Sequence, residues 1–177
     1  KLRPTAGDRS FAEDAARALR DDLYARSYPT LRSAAVAMRA KQVEAAAADD
    51  LKRGVGGLAD VEFLASVLAL EHGGAKPALR ETNTARLLDA LSEAGLLSPS
   101  QLLELKTAYQ FLRRVELRLR VALGRPESTV SPAERRALAL RLGYVDADRS
   151  AEEQLASELG YTRKSVRAIF LSLMSGP

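Results

Sequence analysis

The chain has 177 residues and a net charge of +4, with 46% apolar and only 5% aromatic side chains, enough length for one good-sized domain or two small ones around a buried core. It has no Cys, which excludes disulfides, thiolate metal sites and a thiol nucleophile, and its single histidine, His72, excludes imidazole clusters. No apolar run reaches membrane-spanning length.

Ala and Leu carry the apolar content, and Arg and Glu most of the charge; these residues lose little on entering a helix. No segment is alternating and β-branched enough for a sheet, so the expected fold is all-α, a bundle of long helices. The first residue is Lys1 rather than Met and no charged-then-apolar leader follows. A cytoplasmic piece of a longer protein is therefore expected.

In chain order, residues 1–8 read as a frayed lead-in with Pro4 and Gly7. A first helix is predicted from Ser10 to Ser27, with Phe11, Ala15, Ala18, Leu19 and Leu23 as its apolar stripe, Ser10 as cap and Glu13 as capping-box partner. Pro29 breaks it. A second, Ala-rich and weakly amphipathic helix covers Thr30 to Ala48.

The stretch "DLKRGVGGLADVEF" then packs three glycines into four positions, after a basic pair and before Asp60 and Glu62. A third helix starts near Leu58. Val61, Leu64, Ala65, Val67 and Leu68 cover so much of its circumference that it belongs in the middle of the core. "HGGAKP" ends it, with Gly73 or Gly74 expected in the left-handed cap conformation and His72 favoured there by the helix dipole. A short helix from Thr82 to Ala94 turns Leu87, Leu88 and Leu91 inward and stops at Gly95.

"SPSQ" supplies the next start, with Ser98 as N-cap, Pro99 in the first turn and Gln101 as box partner. Leu105, Ala108, Leu112, Val115, Leu119 and Ala122 follow at alternating steps of three and four, a heptad seam that ends before Gly124 and Pro126. On the same helix Tyr109 and Phe111 read as packing residues. After the loop "GRPESTV", helices are predicted from Ser131 to Gly143, from Ser150 to Gly160, and from Thr162 onward with Val166, Ile169, Phe170 and Leu173 inward. The organisation expected is a bundle over residues 1–125, containing the glycine loop 52–57, and a smaller helical cap over 126–177.

Two features carry the candidate chemistry. The spacing of Lys52, Gly54, Gly56 and Gly57 fits neither a Walker loop nor a dinucleotide fingerprint. It is a glycine loop opening onto a helix N-terminus, where amides and dipole favour an anion and Lys52 and Arg53 add charge. Asp60 and Glu62 in the first turn are equally able to satisfy those amides or to orient Lys52. The second feature is "RRVELRLR": residues 101–150 hold 10 Arg and Lys against 6 Asp and Glu, and Arg113, Arg114, Arg118 and Arg120 are opposed locally only by Glu116. Such a face reads either as a solvated helix surface or as one that meets an acidic partner; without interleaved aromatics, nucleic acid is disfavoured.

From Asp50 to Val121 the chain resembles the helical domain of the bacterial glutamine synthetase adenylyltransferase family. The residues that carry the likeness are "DLKRGVGGLADVEF", "HGGAKPALRETNTARLLDAL" and "AGLLSPSQLLELKTAYQFLRRVELRLR". They follow the family's order of a D-x-K-x-G-x-G-G loop, an E-F at a helix start, an L-R before a T-x-x-x-L-x-x-L helix, and an A-Y-x-F-L-R-R-x-E helix. The later "LALRLGYVD" and "VRAIFLSLM" are similar to that domain's trailing helices. One departure is Leu117, where members commonly have His.

The resemblance implies a non-catalytic domain that supports an upstream nucleotidyltransferase domain of the same chain in modifying glutamine synthetase, with a PII-type regulator as a further candidate partner. The family's catalytic domains use a Gly-Ser turn and a metal-binding Asp-x-Asp on a sheet. Here the only Asp-x-Asp, Asp146 and Asp148, has neither around it and reads as a polar loop. No catalytic residue, metal site or cofactor is expected within this chain; ATP and Mg are expected for the full-length enzyme. Nucleotide, anion or domain contact falls to Lys52, Arg53, Gly54, Gly56, Gly57, Asp60 and Glu62, and a domain interface to Arg113, Arg114 and Glu116. Two other readings stay open: the helical part of a PII uridylyltransferase, and a stand-alone helical interaction module.

Overall fold

The computed structural model describes residues 6–124 and 128–175. Pro4 of the lead-in and Pro126 of the later loop, both read above as breaks, lie outside the described residues. The described chain is all-α: α1 (Arg9–Ala25), α2 (Leu31–Glu44), α3 (Leu58–His72), a short 3-10 turn (Pro77–Leu79), α4 (Thr84–Glu93), α5 (Pro99–Leu123), α6 (Pro132–Leu142) and α7 (Ala151–Met174). One isolated antiparallel bridge joins Asp50 to Thr129.

α3 is the hub. Nine of its residues, from Leu58 to Ala69, are buried on all sides, and α1, α2, α4, α5 and α7 pack around it. Two apolar clusters result. One gathers Val61, Leu64, Leu68, Leu88, Leu91 and Leu105 with Val166, Phe170 and Met174 of α7. The other gathers Leu51, Leu58, Leu112, Val115 and Leu119 with Leu138 of α6 and Leu155 of α7. α5 bridges the two through its heptad seam, whose residues from Leu105 to Leu119 are all buried. Its Ser98–Gln101 capping box and left-handed Gly124 stop stand where the sequence places them, as do the Ser131–Glu134 box and Gly143 of α6.

Several expectations need correction. The cap of α1 is Asp8, whose carboxylate accepts from the Phe11 amide, not Ser10. The predicted α1 stripe is not a packing face, because Phe11, Leu19 and Leu23 are exposed. Tyr24 instead packs on Gly73 at the end of α3, and Ala16 is the buried residue of α1. Neither Gly73 nor Gly74 is left-handed. Glycine is needed there for proximity: a Cβ on Gly73 would stand 2.6 Å from the Tyr24 ring, and one on Gly74 2.7 Å from the Tyr24 carbonyl.

The two helices predicted after Ser150 are one, because α7 runs unbroken through Gly160. A helix-interior glycine costs about 1 kcal/mol against Ala, too little to interrupt a helix whose two halves are anchored by Leu155 on one side and Val166, Ile169 and Phe170 on the other. α7 thus belongs to both clusters: its first half packs with α6, its second half joins α3 in the main core.

Candidate functional site

The glycine loop is built by carboxylates and arginines of this chain. Asp50 is fully buried. Its Oδ1 accepts from the Lys52 and Arg53 amides, both at 2.8 Å, and from the Ser128 hydroxyl at 3.1 Å, while Oδ2 accepts from Arg53 Nε at 3.1 Å. Burial alone would push this carboxyl up, but the hydrogen bonds from Arg53, Lys52 and Ser128 outweigh it and hold Asp50 below the usual carboxylate range.

Asp60, two turns of chain later, is equally buried. Its Oδ1 accepts from Arg39 Nε at 2.7 Å and its Oδ2 from the Gly56 amide at 2.8 Å, with Arg167 Nη1 at 3.5 Å. Arg39 is 0% exposed. Its two remaining nitrogens donate to Gln42 Oε1, to the Arg53 carbonyl and to the Gly54 carbonyl at 3.1–3.2 Å, so the five-donor fork is fully used. It also lies 5.9 Å from the Phe63 ring centre.

α7 closes the other side. Arg163 donates through Nε to the Val55 carbonyl at 2.8 Å and through Nη1 to the Ala48 carbonyl at 3.0 Å. Burial pushes its guanidinium below the ordinary arginine range, against the pull of Asp49, Asp50 and Asp60. This contact explains the glycines. Gly56 has φ +66°, and a Cβ on it would fall 1.8 Å from the Arg163 carbonyl oxygen; one on Gly54 would fall 2.4 Å from Arg163 Nη2.

Most backbone donors of the anion cradle expected from the glycine spacing are taken up within the chain. The amides of Lys52, Arg53 and Gly56 bind Asp50 and Asp60. Those of Leu58, Ala59 and Asp60, at the start of α3, bind the Leu51, Lys52 and Gly57 carbonyls. Asp60 orients Arg39, not Lys52. What the loop shows to solvent is the side chains of Lys52, Arg53 and Val55.

Glu62 is separated from this network by helical geometry. Two residues on from Asp60, it faces nearly the opposite way and lines a polar groove of about 550 Å³ between α3, α4 and α5, with Thr82, Asn83, Thr84, Tyr109, Gln110 and Arg113. Tyr109 Oη lies 3.5 Å from Glu62 Oε1. Asn83 holds the α4 end of the groove by accepting from the Ala85 and Arg86 amides.

Arg113 is set by Glu116, a 2% exposed carboxylate on α5. Glu116 accepts from Arg113 Nη1 and from Arg120 Nη2, each at 2.8 Å, one turn before and one turn after. Nε and Nη2 of Arg113 make no hydrogen bond among the described residues, leaving a two-donor edge of the kind that grips a carboxylate or phosphate. Arg114 points elsewhere, 5.7 Å over the Phe111 ring. The structure thus joins Glu62 and Arg113, predicted in separate groups, and separates both from the loop.

Sequence reasoning missed Arg39, Arg163 and Arg167. Arg39 is one of several charges in an Ala-rich helix, LRSAAVAMRAKQVE, and nothing local marks it as the buried one. Arg163 and Arg167 were hidden by the break placed at Gly160. Elsewhere, Asp146 is occupied by Arg136 and the Ala151 amide. His72 stands in the last turn of α3, 4.0 Å from Glu71. Among the described residues no cluster of three or more His, Cys, Asp or Glu is placed to hold a metal ion, and no helix is long and apolar enough to cross a membrane.

A family model described as GlnD PII-uridylyltransferase matches residues 31–174. The chain is also similar to proteins named bifunctional glutamine synthetase adenylyltransferase/adenylyl-removing enzyme. That of Stenotrophomonas maltophilia (strain R551-3) is 36% identical over 183 residues, covering 99% of this chain and 19% of the relative. That of Xanthomonas axonopodis pv. citri (strain 306) is 36% identical over 182 residues, with the same coverage of 99% and 19%. In the Acinetobacter baylyi relative, 87 residues are 41% identical, 49% of this chain and 9% of the relative. The chain spans less than a fifth of the length of these curated relatives.

Proposed function

The chain belongs to the helical-domain family of GlnD PII-uridylyltransferase and glutamine synthetase adenylyltransferase enzymes, and from that premise we propose that it is the non-catalytic helical module of an enzyme that adenylylates and deadenylylates glutamine synthetase. Its part is to complete the cleft of a neighbouring nucleotidyltransferase module. One observation carries this reading. Residues from three separated family-like segments, Glu62, Thr82 to Thr84, and Tyr109 with Arg113, converge on one groove, and of these only Tyr109 also packs against the apolar core.

On this reading the Arg113 edge accepts an anionic group from the catalytic module or its nucleotide, and Glu62 with Tyr109 receives a donor. ATP and magnesium are handled by that module, and glutamine synthetase and a PII-type regulator meet the whole enzyme. Lys52, Arg53 and Val55 form a second contact, held in shape by the Arg39–Asp60 pair. The test is adenylyl transfer to, and removal from, glutamine synthetase by the full-length enzyme carrying Arg113→Ala or Glu62→Gln. A charge-assisted contact worth about 1.5–3 kcal/mol predicts a loss of about 10- to 100-fold in kcat/KM, with melting temperature unchanged for Glu62→Gln and lowered for Arg113→Ala, which takes one of two cations from the buried Glu116. Activity at the wild-type level would refute it.

The description of the matching family favours a second reading, the helical part of a PII uridylyltransferase. The relatives that match along 99% of the chain weigh for the first. Offering the full-length enzyme PII protein with UTP and glutamine synthetase with ATP separates the two.

A further inference from the structure

The basic run on α5 resolves into two sets of opposite use. Arg113 and Arg120 turn toward Glu116 and share its carboxylate. Arg114 and Arg118 make no ion pair among the described residues and are exposed. Arg114 lies on, and Arg118 beside, a second heptad: Leu103, Thr107, Gln110, Arg114, Leu117 and Val121 follow at steps of four and three, and every one of them is exposed. This seam runs along the face opposite the buried one, over about 27 Å at 1.5 Å per residue.

Its apolar members are far out in solvent, with Leu103 70%, Leu117 62% and Val121 72% exposed. Tyr161 of α7, 72% exposed, flanks Leu103 across the α5–α7 groove. A solvated helix face has no use for leucine and valine at heptad spacing, whereas a helix-pairing face does.

We propose that this outer seam docks a partner helix with an apolar heptad flanked by Asp and Glu, packed along α5 so that its carboxylates meet Arg114 and Arg118. Charge complementarity sets the chemistry, because neither arginine makes an ion pair among the described residues. A nucleic acid would use the arginines but not the leucine and valine between them, and the stripe carries no aromatic for base stacking. A second copy of the chain would bring arginine against arginine. The surface shares Gln110 with the Glu62–Arg113 groove but none of its apolar members, and the inference does not depend on what that groove meets.

The test is an amide NMR titration of the 177-residue chain with three probes: a synthetic helix with Leu at the heptad seam and Glu at the flanks, the same helix with Lys flanks, and a DNA duplex. The Glu-flanked helix is expected to shift the resonances of residues 103–121, with the Lys-flanked helix about tenfold weaker or more. Leu117→Asp with Val121→Asp should abolish the shifts, while Leu19→Asp, on the exposed face of α1, should leave them unchanged. The proposal is overturned if both helices bind alike, if the duplex alone moves the stripe, if shifts appear on self-association alone, or if the Glu-flanked helix binds elsewhere or not at all.

Discussion

Replacing Arg39 by Met removes the only strong cation on Asp60, a carboxylate with no exposed surface, and frees the Arg53 and Gly54 carbonyls that the guanidinium ties down. Breaking a buried ion pair from one side costs about 3–5 kcal/mol, because the remaining charge is left buried without its partner. Arg167, at 3.5 Å from Asp60 Oδ2, offsets a part of this, so about 3 kcal/mol is expected for Arg39→Met. Asp60→Asn also loses the charge but keeps an acceptor for Gly56, and about 2 kcal/mol follows. Against a total stability of about 5–15 kcal/mol, either change lowers a urea midpoint by 1 M or more at a slope of about 2 kcal/mol/M. Equilibrium urea unfolding followed by circular dichroism reads this directly. The Arg39→Met/Asp60→Asn double variant should be less destabilised than the sum of the two single changes, by a coupling of at least about 1 kcal/mol. Additive effects, or a cost below 1 kcal/mol for Arg39→Met, would refute the argument that this pair holds the loop.

The glycines give a graded test. Gly56→Ala must place a Cβ against the Arg163 backbone at a positive φ and should cost about 3 kcal/mol or more, whereas Gly95→Ala, with a positive φ but open space around it, should cost about 1 kcal/mol; equal melting temperatures would contradict this. Gly160 sits inside α7 with nothing within 4 Å of its would-be Cβ, so Gly160→Ala should raise stability by about 1 kcal/mol, and a loss would mean that α7 bends there. Asp50 has a folded pKa below its unfolded one, so its stabilisation is present above an ordinary carboxylate pKa of about 3.9 and disappears as pH falls through the folded value. Urea midpoints measured from pH 7 to 3 should therefore drop less steeply for Asp50→Asn than for the parent chain, and matching slopes would refute the assignment.

Where local signals act alone, they were readable. The Ser98–Gln101 and Ser131–Glu134 boxes, the stops at Gly95, Gly124 and Gly143, and the α5 seam each depend on residues within a turn or two of each other. Position in space was not readable where distant segments meet. Gly54 and Gly56 look like a ligand loop in sequence because close backbone approach to a phosphate and to a neighbouring helix demand the same residue; the helix is α7, more than a hundred residues away. Gly160 looked like a stop because propensity was read without the packing that overrides it. For Asp60 and Glu62, helical phase sends one into the Arg39 pocket and the other into the groove. That difference follows from the helix's rotation of about 100° per residue, since both stand within α3.

The central claim is that the Glu62–Tyr109–Arg113 groove faces the rest of a longer enzyme. Hydroxyl-radical footprinting of Tyr109, half-buried in this chain, in the 177-residue chain and in the full-length protein, tests it most directly. The account predicts that oxidation of Tyr109 slows severalfold in the full-length protein; an equal rate in both would contradict it.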